Sequence, residues 1–220
     1  MKLSKRLSVL ASYVNKGDVV ADIGCDHAQL CCYLVKNDIV SKAYACDIAQ
    51  GPLNQAIKSI QENHVQDKVI PVLSDGLQNV NDDATCIVIA GMGFETVAHI
   101  LNQDIHKILG KRVIVQVNRD VEGLRTWISD HNYRILNEKV VLDEHYYQIV
   151  VFDTNYDAPL SEEEIMFGKK MEKDNEFYSN WKFRLSKCEK MLHQLQEDHP
   201  RYNEVLNMMK KIYGVFAGSY

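Results

Sequence analysis

Apolar and polar positions follow two different periods along most of the chain. Short runs rich in β-branched residues are typical of strands, and they alternate with stretches whose apolar residues recur every three or four positions, as in helices. The predicted strands are DVVADIG, KAYACDI, KVIPVLSDG, ATCIVIAGMG and KRVIVQVN. The predicted helices are LCCYLVKN, GPLNQAIKSIQEN, ETVAHILNQDIHKIL and VEGLRTWISDHN. Strands that alternate with single helices predict an α/β fold with right-handed crossovers and a doubly wound parallel sheet.

The pattern also orders some of these strands. Pro71 in the third strand predicts an edge position, because proline has no N–H for a neighbouring strand. The fourth strand is apolar almost throughout, which is typical of a central strand buried on both faces. RILNEKVVLDEHYYQIVVFD then holds two β-type runs with no room for a helix between them, so we expect an antiparallel hairpin.

The first residues predict a short amphipathic helix rather than a signal peptide. Leu3, Leu7, Leu10 and Val14 recur at helical spacing, and no small-residue cleavage pattern follows them. No apolar run approaches the roughly 20 residues that cross a bilayer, so no membrane contact is expected. We therefore expect a cytoplasmic protein whose six cysteines are reduced. The formal net charge of −5 argues against a general polyanion-coating protein, although it is compatible with a local basic patch.

The pattern changes after residue 155. A polar stretch contains Pro159, and Ser161 with Glu164 has the capping-box spacing of a helix start. Apolar residues then recur by threes and fours in a coiled-coil-like seam: Phe177, Trp181, Leu185, Cys188, Leu192 and Leu195, then Tyr202, Val205, Met209, Ile212 and Phe216. We expect two domains, a sheet domain over 1–155 and an α-helical hairpin over 156–220. A role of the hairpin as a cover for the sheet stays open.

The stretch DIGCDHAQLCC, residues 22–32, contains the elements of a metal site. Structural zinc sites use four ligands, usually in closely spaced pairs. Cys31 and Cys32 are instead adjacent on a predicted helix, where side chains point about 100° apart. Cys25 lies in the preceding turn, and no second cluster follows downstream. We predict that the chain binds no metal here.

The same stretch has the setting of a cofactor loop, because it joins a strand to a helix at the edge where doubly wound sheets bind nucleotides. Gly24 stands alone, and Asp26 occupies the place of the second glycine of a dinucleotide motif. A carboxylate there would repel a pyrophosphate but suits S-adenosylmethionine, which carries an ammonium and a sulfonium. Asp47 ends the second strand, where an acid commonly accepts the ribose hydroxyls, and Asp75 ends the third, near an adenine. For either acid alone, a turn or helix-cap role stays open.

Five stretches together carry a resemblance to a known family. DIGCDHAQL, CDIAQGPLNQA, SDGL, IAGMG and VQVN, in this order and spacing, resemble the bacterial tRNA (adenine-N1)-methyltransferases that modify adenosine 22. The resemblance covers the whole chain and implies a Rossmann-like class I methyltransferase sheet with a C-terminal helical domain. It also implies S-adenosylmethionine as the cofactor and tRNA as the partner, helped by the helical arm. The chain departs from the family pattern at Gln29, Cys31, Phe94 and Val117.

The residues and the resemblance together define a candidate site. The predicted cofactor-binding residues are Gly24, Cys25, Asp26, His27, Asp47, Ile48, Asp75, Gly76, Leu77, Ala90, Gly91 and Met92. The predicted catalytic residues are Asp26, His27 and Asn118, and the predicted substrate-binding residues are Arg6, Gly93, Phe94 and Gln116. For Phe94, an aromatic face for the target base and a core position at a helix start both stay open.

Basic residues in two places are candidates for a phosphate-binding surface. They are Lys2, Lys5 and Arg6 near the start, and Lys169, Lys170, Lys173, Lys182, Arg184 and Lys187 in the helical arm. Charges at helical spacing are also typical of a solvated face. Three competing functions remain: a methyltransferase for another RNA, a protein or a small molecule, a non-catalytic S-adenosylmethionine- or RNA-binding protein, and a nicotinamide-dependent oxidoreductase. No obligate protein partner is evident from the sequence.

Overall fold

A computed structural model describes residues 2–217 and contains one mixed sheet of seven strands. In chain order the strands are β1 Val19–Ile23, β2 Lys42–Asp47, β3 Val69–Leu73, β4 Cys86–Met92, β5 Arg112–Val117, β6 Tyr133–Asp143 and β7 His145–Tyr156. Their order across the sheet is β3-β2-β1-β4-β5-β7-β6. The first five strands are parallel, and β7 is antiparallel to both β5 and β6. This confirms the predicted hairpin, the edge position of Pro71 and the Rossmann-like fold class.

Single helices separate the parallel strands as predicted, except that residues 74–85 join β3 to β4 without a helix. The helices are α1 Lys5–Ser12, α2 Gln29–Lys36, α3 Gln50–Glu62, α4 Phe94–Gln103, α5 Val121–Asp130, α6 Glu162–Phe167, α7 Asn175–Leu192 and α8 Tyr202–Ala217. The predicted helix ETVAHILNQDIHKIL is shorter than expected, because α4 ends at Gln103 and the chain continues as a 3-10 turn over Ile105–Ile108. No helix within residues 2–217 is long and apolar enough to cross a membrane.

Two apolar cores cover the two faces of the sheet. Val20 and Val88 point into the core that holds the buried residues of α1, α2 and α3. Their neighbours Ala21, Ile87 and Ile89 point into the opposite core, with the buried residues of α4 and α5. Successive side chains of a strand point to opposite faces, so a central strand here must be apolar at every position. This packing aligns the carboxyl ends of β1, β2 and β4 along one edge.

The first compact unit extends through Glu172, past the boundary expected at residue 155. The reason is a buried pair: Arg125 on α5 donates from Nε to Glu138 Oε1 on β6 at 2.6 Å, and both side chains are fully buried. Glu138 Oε2 also accepts the backbone N–H of Lys170 at 2.9 Å, and its carbonyl accepts that of Glu172. Segment 156–172 therefore belongs to the sheet unit.

The second compact unit begins at Lys173 and consists of α7 and α8, which pack on each other. Asp174 caps α7 by accepting the N–H groups of Glu176 and Phe177. The expected seam is present, since its members are buried or half-buried along both helices. The capping box of Ser161 and Glu164 is also present, but it starts the separate short helix α6 in the sheet unit. The predicted single hairpin over 156–220 is therefore wrong in its first part.

Candidate active site

A cleft of about 430 Å³ opens where β1 and β4 end. Its lining includes Arg6 of α1 and the predicted residues Gly24, Cys25, Asp26, His27, Ala90 and Gly91. Sites for small ligands have volumes of about 300–1,000 Å³ and occur at this edge of α/β sheets. The structure thus brings together the N-terminal helix, the turn after β1 and the end of β4, although these segments are far apart along the chain.

The turn after β1 is tightly constrained. Gly24 has φ +74°, and a Cβ added there would overlap the side chain of Met92. Its N–H donates to the carbonyl of Cys46 at 2.9 Å, which ties the turn to the end of β2. Asp26 and Ala28 follow with φ of 50° and 52°, a backbone region that costs free energy for residues other than glycine. Such strain concentrates at functional sites and here aims the Asp26–His27 pair outward.

Asp26 and His27 are both open to solvent. Their side chains are 78% and 50% exposed, and Asp26 Oδ1 lies 3.5 Å from His27 Nε2. These two of the three predicted catalytic residues therefore lie side by side at the mouth of the cleft, where an incoming ligand can reach them. His27 and Gln29 also line a neighbouring depression with Lys2 and Lys58, which adds positive charge beside this mouth.

Asp22, which the sequence reasoning missed, is the buried acid of the cleft. Burial raises its pKa from 3.8 to about 7, while the charge of Arg6 and a weak hydrogen bond from Cys31 Sγ lower it. Its side chain is nevertheless part of the cleft lining. One signal for it was available: Asp22 is an acid inside an otherwise apolar β-run, and such residues are rare without a function.

The end of β2 combines a carboxylate with exposed apolar surface. Asp47 Oδ1 accepts the N–H of Ala49 at 3.0 Å, so one oxygen serves the local turn. Within residues 2–217 its second oxygen accepts no hydrogen bond and is open to a ligand. Ile48 is 65% exposed, and Leu73 at the end of β3 is 48% exposed. Exposed aliphatic side chains beside a carboxylate can hold the flat face of a base next to its sugar.

The turn after β3 fulfils the expectation only in part. Asp75 is exposed, and Gly76 has φ +55°. The hydroxyl of Ser74 holds this turn by donating to the carbonyl of Gly76 and accepting the N–H of Asn79, both at 3.0 Å. Leu77, however, is fully buried in the core beside α4. Its side chain packs in the core and does not line the edge.

The end of β5 brings two further predicted residues against Arg6 and Gly91 of the cleft lining. Gln116 is fully buried, and its Oε1 accepts a hydrogen bond from Arg6 Nη1 at 2.6 Å. Its Nε2 donates to Asn118 Oδ1 at 3.0 Å. Asn118 itself is exposed. The polar atoms of the predicted substrate-binding and catalytic residues on β5 are thus engaged with Arg6 and with each other.

Phe94 occupies the core position that the sequence left open. It begins α4, is half-buried against the core that includes Val121, and lies so close to Gly123 of α5 that a Cβ there would overlap its ring. The preceding Gly93 is the N-cap of α4, and a Cβ on it would lie 3.2 Å from Nε of Arg119. Arg119 is a cation at this edge that the sequence reasoning did not single out.

Three more residues around Arg6 were missed: Ser4, Asp143 and Tyr147. Asp143 Oδ2, at the end of β6, accepts the backbone N–H of Arg6 at 2.9 Å. This hydrogen bond, together with one from Ser4, lowers the pKa of Asp143. The guanidinium carbon of Arg6 lies 5.3 Å from the ring centre of Tyr147, a cation–π distance. These contacts join residues more than a hundred positions apart, so no local pattern could indicate them.

All six cysteines are buried and form no disulfide. Burial raises the pKa of Cys25 and Cys31, so both remain thiols at neutral pH. Within residues 2–217 no group of three or more His, Cys, Asp or Glu side chains is arranged to hold a metal ion. The predicted lack of a metal stays a prediction, which elemental analysis of the purified protein tests directly.

Comparisons with known proteins assign the chain to a family. Residues 3–150 match the family described as a methyltransferase domain. The chain is also 33% identical over 208 residues to the tRNA (adenine(22)-N(1))-methyltransferase of Bacillus subtilis (strain 168), covering 90% of this chain and 87% of that protein. The chain belongs to the tRNA (adenine(22)-N(1))-methyltransferase family.

Solved structures extend this family likeness over the whole fold. M. capricolum TrmK in complex with S-adenosyl-homocysteine superposes with a TM-score of 0.87 at 35% identity, covering 98% of each chain. Streptococcus pneumoniae Sp1610 in complex with S-adenosyl-L-methionine superposes with a TM-score of 0.88 at 29% identity, covering 97% of this chain and 99% of that one. Since these matches cover nearly all of the chain, the tRNA (adenine(22)-N(1))-methyltransferase likeness includes the C-terminal helices.

Proposed function

We propose that this protein transfers a methyl group from S-adenosylmethionine to N1 of adenosine 22 in tRNA. The observation that carries the proposal is the cleft, where a single-glycine turn and the acids Asp22 and Asp26 meet the end of β4, in a chain of this methyltransferase family. No specific observation favours one of the competing functions.

The residues present fit S-adenosylmethionine better than a dinucleotide. Gly24 supplies the single tight turn, because its φ of +74° favours glycine and a Cβ there would overlap the side chain of Met92. Asp26 supplies negative charge at the cleft mouth, which favours an ammonium or sulfonium and disfavours a pyrophosphate, and Asp22 adds to this charge as it ionises near pH 7. In this assignment the open oxygen of Asp47 accepts the ribose hydroxyls, and Ile48 packs on the adenine. The exposed Asp75 in the turn after β3 would then be a further contact for the adenine.

The reaction makes modest demands on this chain's side chains. When bound, S-adenosylmethionine supplies an electrophilic methyl group on its sulfonium. Adenine N1 has a free lone pair at neutral pH, so the protein needs no strong base before attack and acts chiefly by positioning. Positive charge moves onto the adenine during transfer. The exposed carboxylate of Asp26 is placed to stabilise it, and Asp22 contributes in its ionised form. His27, beside Asp26, is placed to contact the base at the cleft mouth.

We propose further that the unit formed by α7 and α8 binds the tRNA backbone. α7 carries Lys182, Arg184 and Lys187. The guanidinium of Arg184 lies 4.4 Å from the ring centre of Trp181, and Lys187 Nζ lies 4.3 Å from that of Phe183. An aromatic ring holds a cation without neutralising it, so the charge of Lys187 remains available to phosphates. Lys169 is a weaker candidate than expected, because its Nζ pairs with Asp157 at 2.7 Å.

The decisive test is the identity of the methylated nucleoside. Protein and S-adenosylmethionine are incubated with an unmodified tRNA carrying adenosine at position 22, and with a matched tRNA carrying guanosine there. Nucleosides are then separated and identified by mass spectrometry. We expect N1-methyladenosine from the first tRNA only. Methylation of both tRNAs would refute the position, and methylation of neither, with turnover on a protein or metabolite extract, would refute the substrate.

A further inference from the structure

The strand β4 contains a bulge at the wall of the cleft. The register between β4 and β5 shifts between Ala90 and Met92, so Gly91 has no partner of its own in the ladder. Gly91 has φ +82° and lines the cleft. A bulge leaves backbone groups unpaired and redirects the strand, and such features are common beside active sites.

Two side chains at the end of β5 replace the missing ladder bonds, Gln116 in the strand and Asn118 directly after it. Gln116 Oε1 accepts the N–H of Gly91 at 3.2 Å, and Asn118 Nδ2 donates to the carbonyl of Gly91 at 2.6 Å. Gln116 Nε2 donates to Asn118 Oδ1 at 3.0 Å, which joins the two amides. The three residues therefore form a closed ring of hydrogen bonds, which we call the Gly91 clamp.

The chemistry of the backbone fixes the direction of this ring. A backbone N–H can only donate and a carbonyl can only accept, so Gln116 must present its oxygen to Gly91 and Asn118 its nitrogen. Arg6 Nη1, which also can only donate, adds a second hydrogen bond to Gln116 Oε1 at 2.6 Å. Each donor in the Gly91 clamp thus meets an acceptor, and the buried amide of Gln116 uses both its oxygen and its nitrogen.

Arg6 is directed toward this ring by its own contacts. Its backbone N–H donates to Asp143 Oδ2 at 2.9 Å, and its guanidinium lies over the ring of Tyr147. These contacts place the guanidinium in the cleft, where it meets an amide oxygen. An arginine that donates Nη1 to a buried amide oxygen has one nitrogen fewer for a bidentate phosphate contact.

We propose that Arg6, Gln116 and Asn118 are positioning residues that hold the Gly91 bulge through the Gly91 clamp. Arg6 acts through Gln116 and does not contact a tRNA phosphate. This role replaces the substrate-binding role expected for Arg6 and Gln116 and the catalytic role expected for Asn118. It rests on the proposed function, because the clamped backbone forms the wall where methyl donor and adenine would meet.

A double-mutant cycle tests whether the clamp acts as one unit. Gln116→Met, Asn118→Leu and the double variant are compared with the wild type for kcat and KM on tRNA. We expect each single variant to lose up to about 10²-fold in kcat, as a displaced reacting group does. KM for tRNA should change little, and the double variant should be no worse than the poorer single one. Penalties that multiply would overturn the proposal, since each residue would then contact substrate independently.

A salt titration separates the two roles of Arg6. The logarithm of tRNA affinity falls with the logarithm of salt concentration in proportion to the number of phosphate contacts. We expect Arg6→Met to lower kcat while leaving this slope unchanged, and Arg6→Lys to restore part of kcat. A slope smaller by about one contact in Arg6→Met would show that Arg6 binds a phosphate.

Hydrogen exchange provides a readout that needs no activity. In Gln116→Met the amide of Gly91 loses its acceptor, so a peptide spanning residues 90–92 should exchange faster than in the wild type. The milder Gln116→Glu, which keeps the acceptor oxygen, should retain this protection and covers the case in which Gln116→Met does not fold. Unchanged exchange in Gln116→Met would refute the clamp. Wild-type protein without tRNA methylation would refute the proposed function but leave this measurement valid.

Discussion

Two polar clusters of the sheet unit are built from similar parts but differ in what they leave open. Each centres on an arginine that donates to a glutamine side chain: Arg125 Nη2 to Gln148 at 2.7 Å, and Arg6 Nη1 to Gln116 at 2.6 Å. The two glutamines lie on the neighbouring strands β7 and β5. Arg125 also pairs with Glu138 and donates to the carbonyl oxygens at Ile165 and Met166. Arg6 has an amide as its closest partner and stands in an open cleft.

The difference separates a structural cluster from a functional one. Burying Arg125 and Glu138 is costly unless every donor and acceptor is satisfied, and here each is satisfied by protein. The result is a rigid attachment of segment 156–172. Around Arg6, Asp26 and Asn118 remain exposed. The Arg6 cluster therefore has polar groups left to bind a ligand, whereas the polar groups of the Arg125 cluster are used within the protein.

The largest effect is expected from breaking the saturated cluster. Arg125→Met leaves Glu138 buried without its cation, which should lower the free energy of unfolding by about 3–5 kcal/mol. Urea denaturation measures this loss. The matched control is Arg134→Met, which breaks the Arg134–Asp153 ion pair at the surface and should leave stability unchanged within error. Similar losses in both variants would show that burial of the pair is unimportant.

Two shortened variants test whether the contacts of residues 158–172 with the Arg125 cluster are needed for folding. A variant that ends at Glu172 keeps every partner of Arg125 and Glu138, so it should fold, bind S-adenosylmethionine and lose tRNA affinity. A variant that ends at Asp157 loses the carbonyl groups of α6 and the N–H of Lys170, so it should be much less stable. Thermal melting and calorimetric titration distinguish them. Equal stability, or tRNA methylation by either variant at the wild-type rate, would contradict this division.

At the open edge of the sheet, the carboxylate of Asp47 should contribute to ligand affinity but little to the stability of the fold. Asp47→Ala removes a carboxylate whose Oδ1 accepts the N–H of Ala49 in the local turn. The change should weaken S-adenosylmethionine binding by about 1.5–3 kcal/mol, the range for a hydrogen bond to a charged group. Calorimetric titration gives the value, with Asp67→Ala on an exposed turn as the control. Unchanged affinity would remove Asp47 from the site.

Asp22 shares a property with each of the two clusters, because it is buried like Glu138 but lines the open cleft that contains Arg6. Its pKa is about 7 in the folded protein and 3.8 as its ordinary value, so the folded state holds a proton that the unfolded state releases. Its stabilising contribution is therefore complete below about pH 4 and is lost as the pH rises through about 7. Asp22→Asn should flatten this part of the stability profile, whereas Asn in place of the exposed Asp26 should not. A wild-type profile equal to that of Asp22→Asn would contradict the assignment.

The sequence predicted those features that local pattern and strand ends determine. Burial on two faces makes β4 apolar throughout, and a residue that closes a parallel strand must lie at the common edge, so Asp47 and Gly24 could be placed in advance. Contacts across the fold could not be placed. Asp143 meets Arg6 over 137 positions, and Arg125 looks in the sequence like any charged residue of an amphipathic helix. The domain boundary at 155 failed for the same reason, since Glu138 attaches the segment after it.

The edge strand β3 has a consequence for how the protein behaves at high concentration. The N–H of Ser74 donates inward to Asp47, and since strand residues alternate, that of Pro71 would point outward. Ile70 and Leu73 are exposed on this strand, which would otherwise offer an apolar edge for pairing with a second chain. Proline at the middle of five residues removes the central outward donor. Pro71 thus prevents a second chain from pairing with β3, which would otherwise be an open edge that favours aggregation.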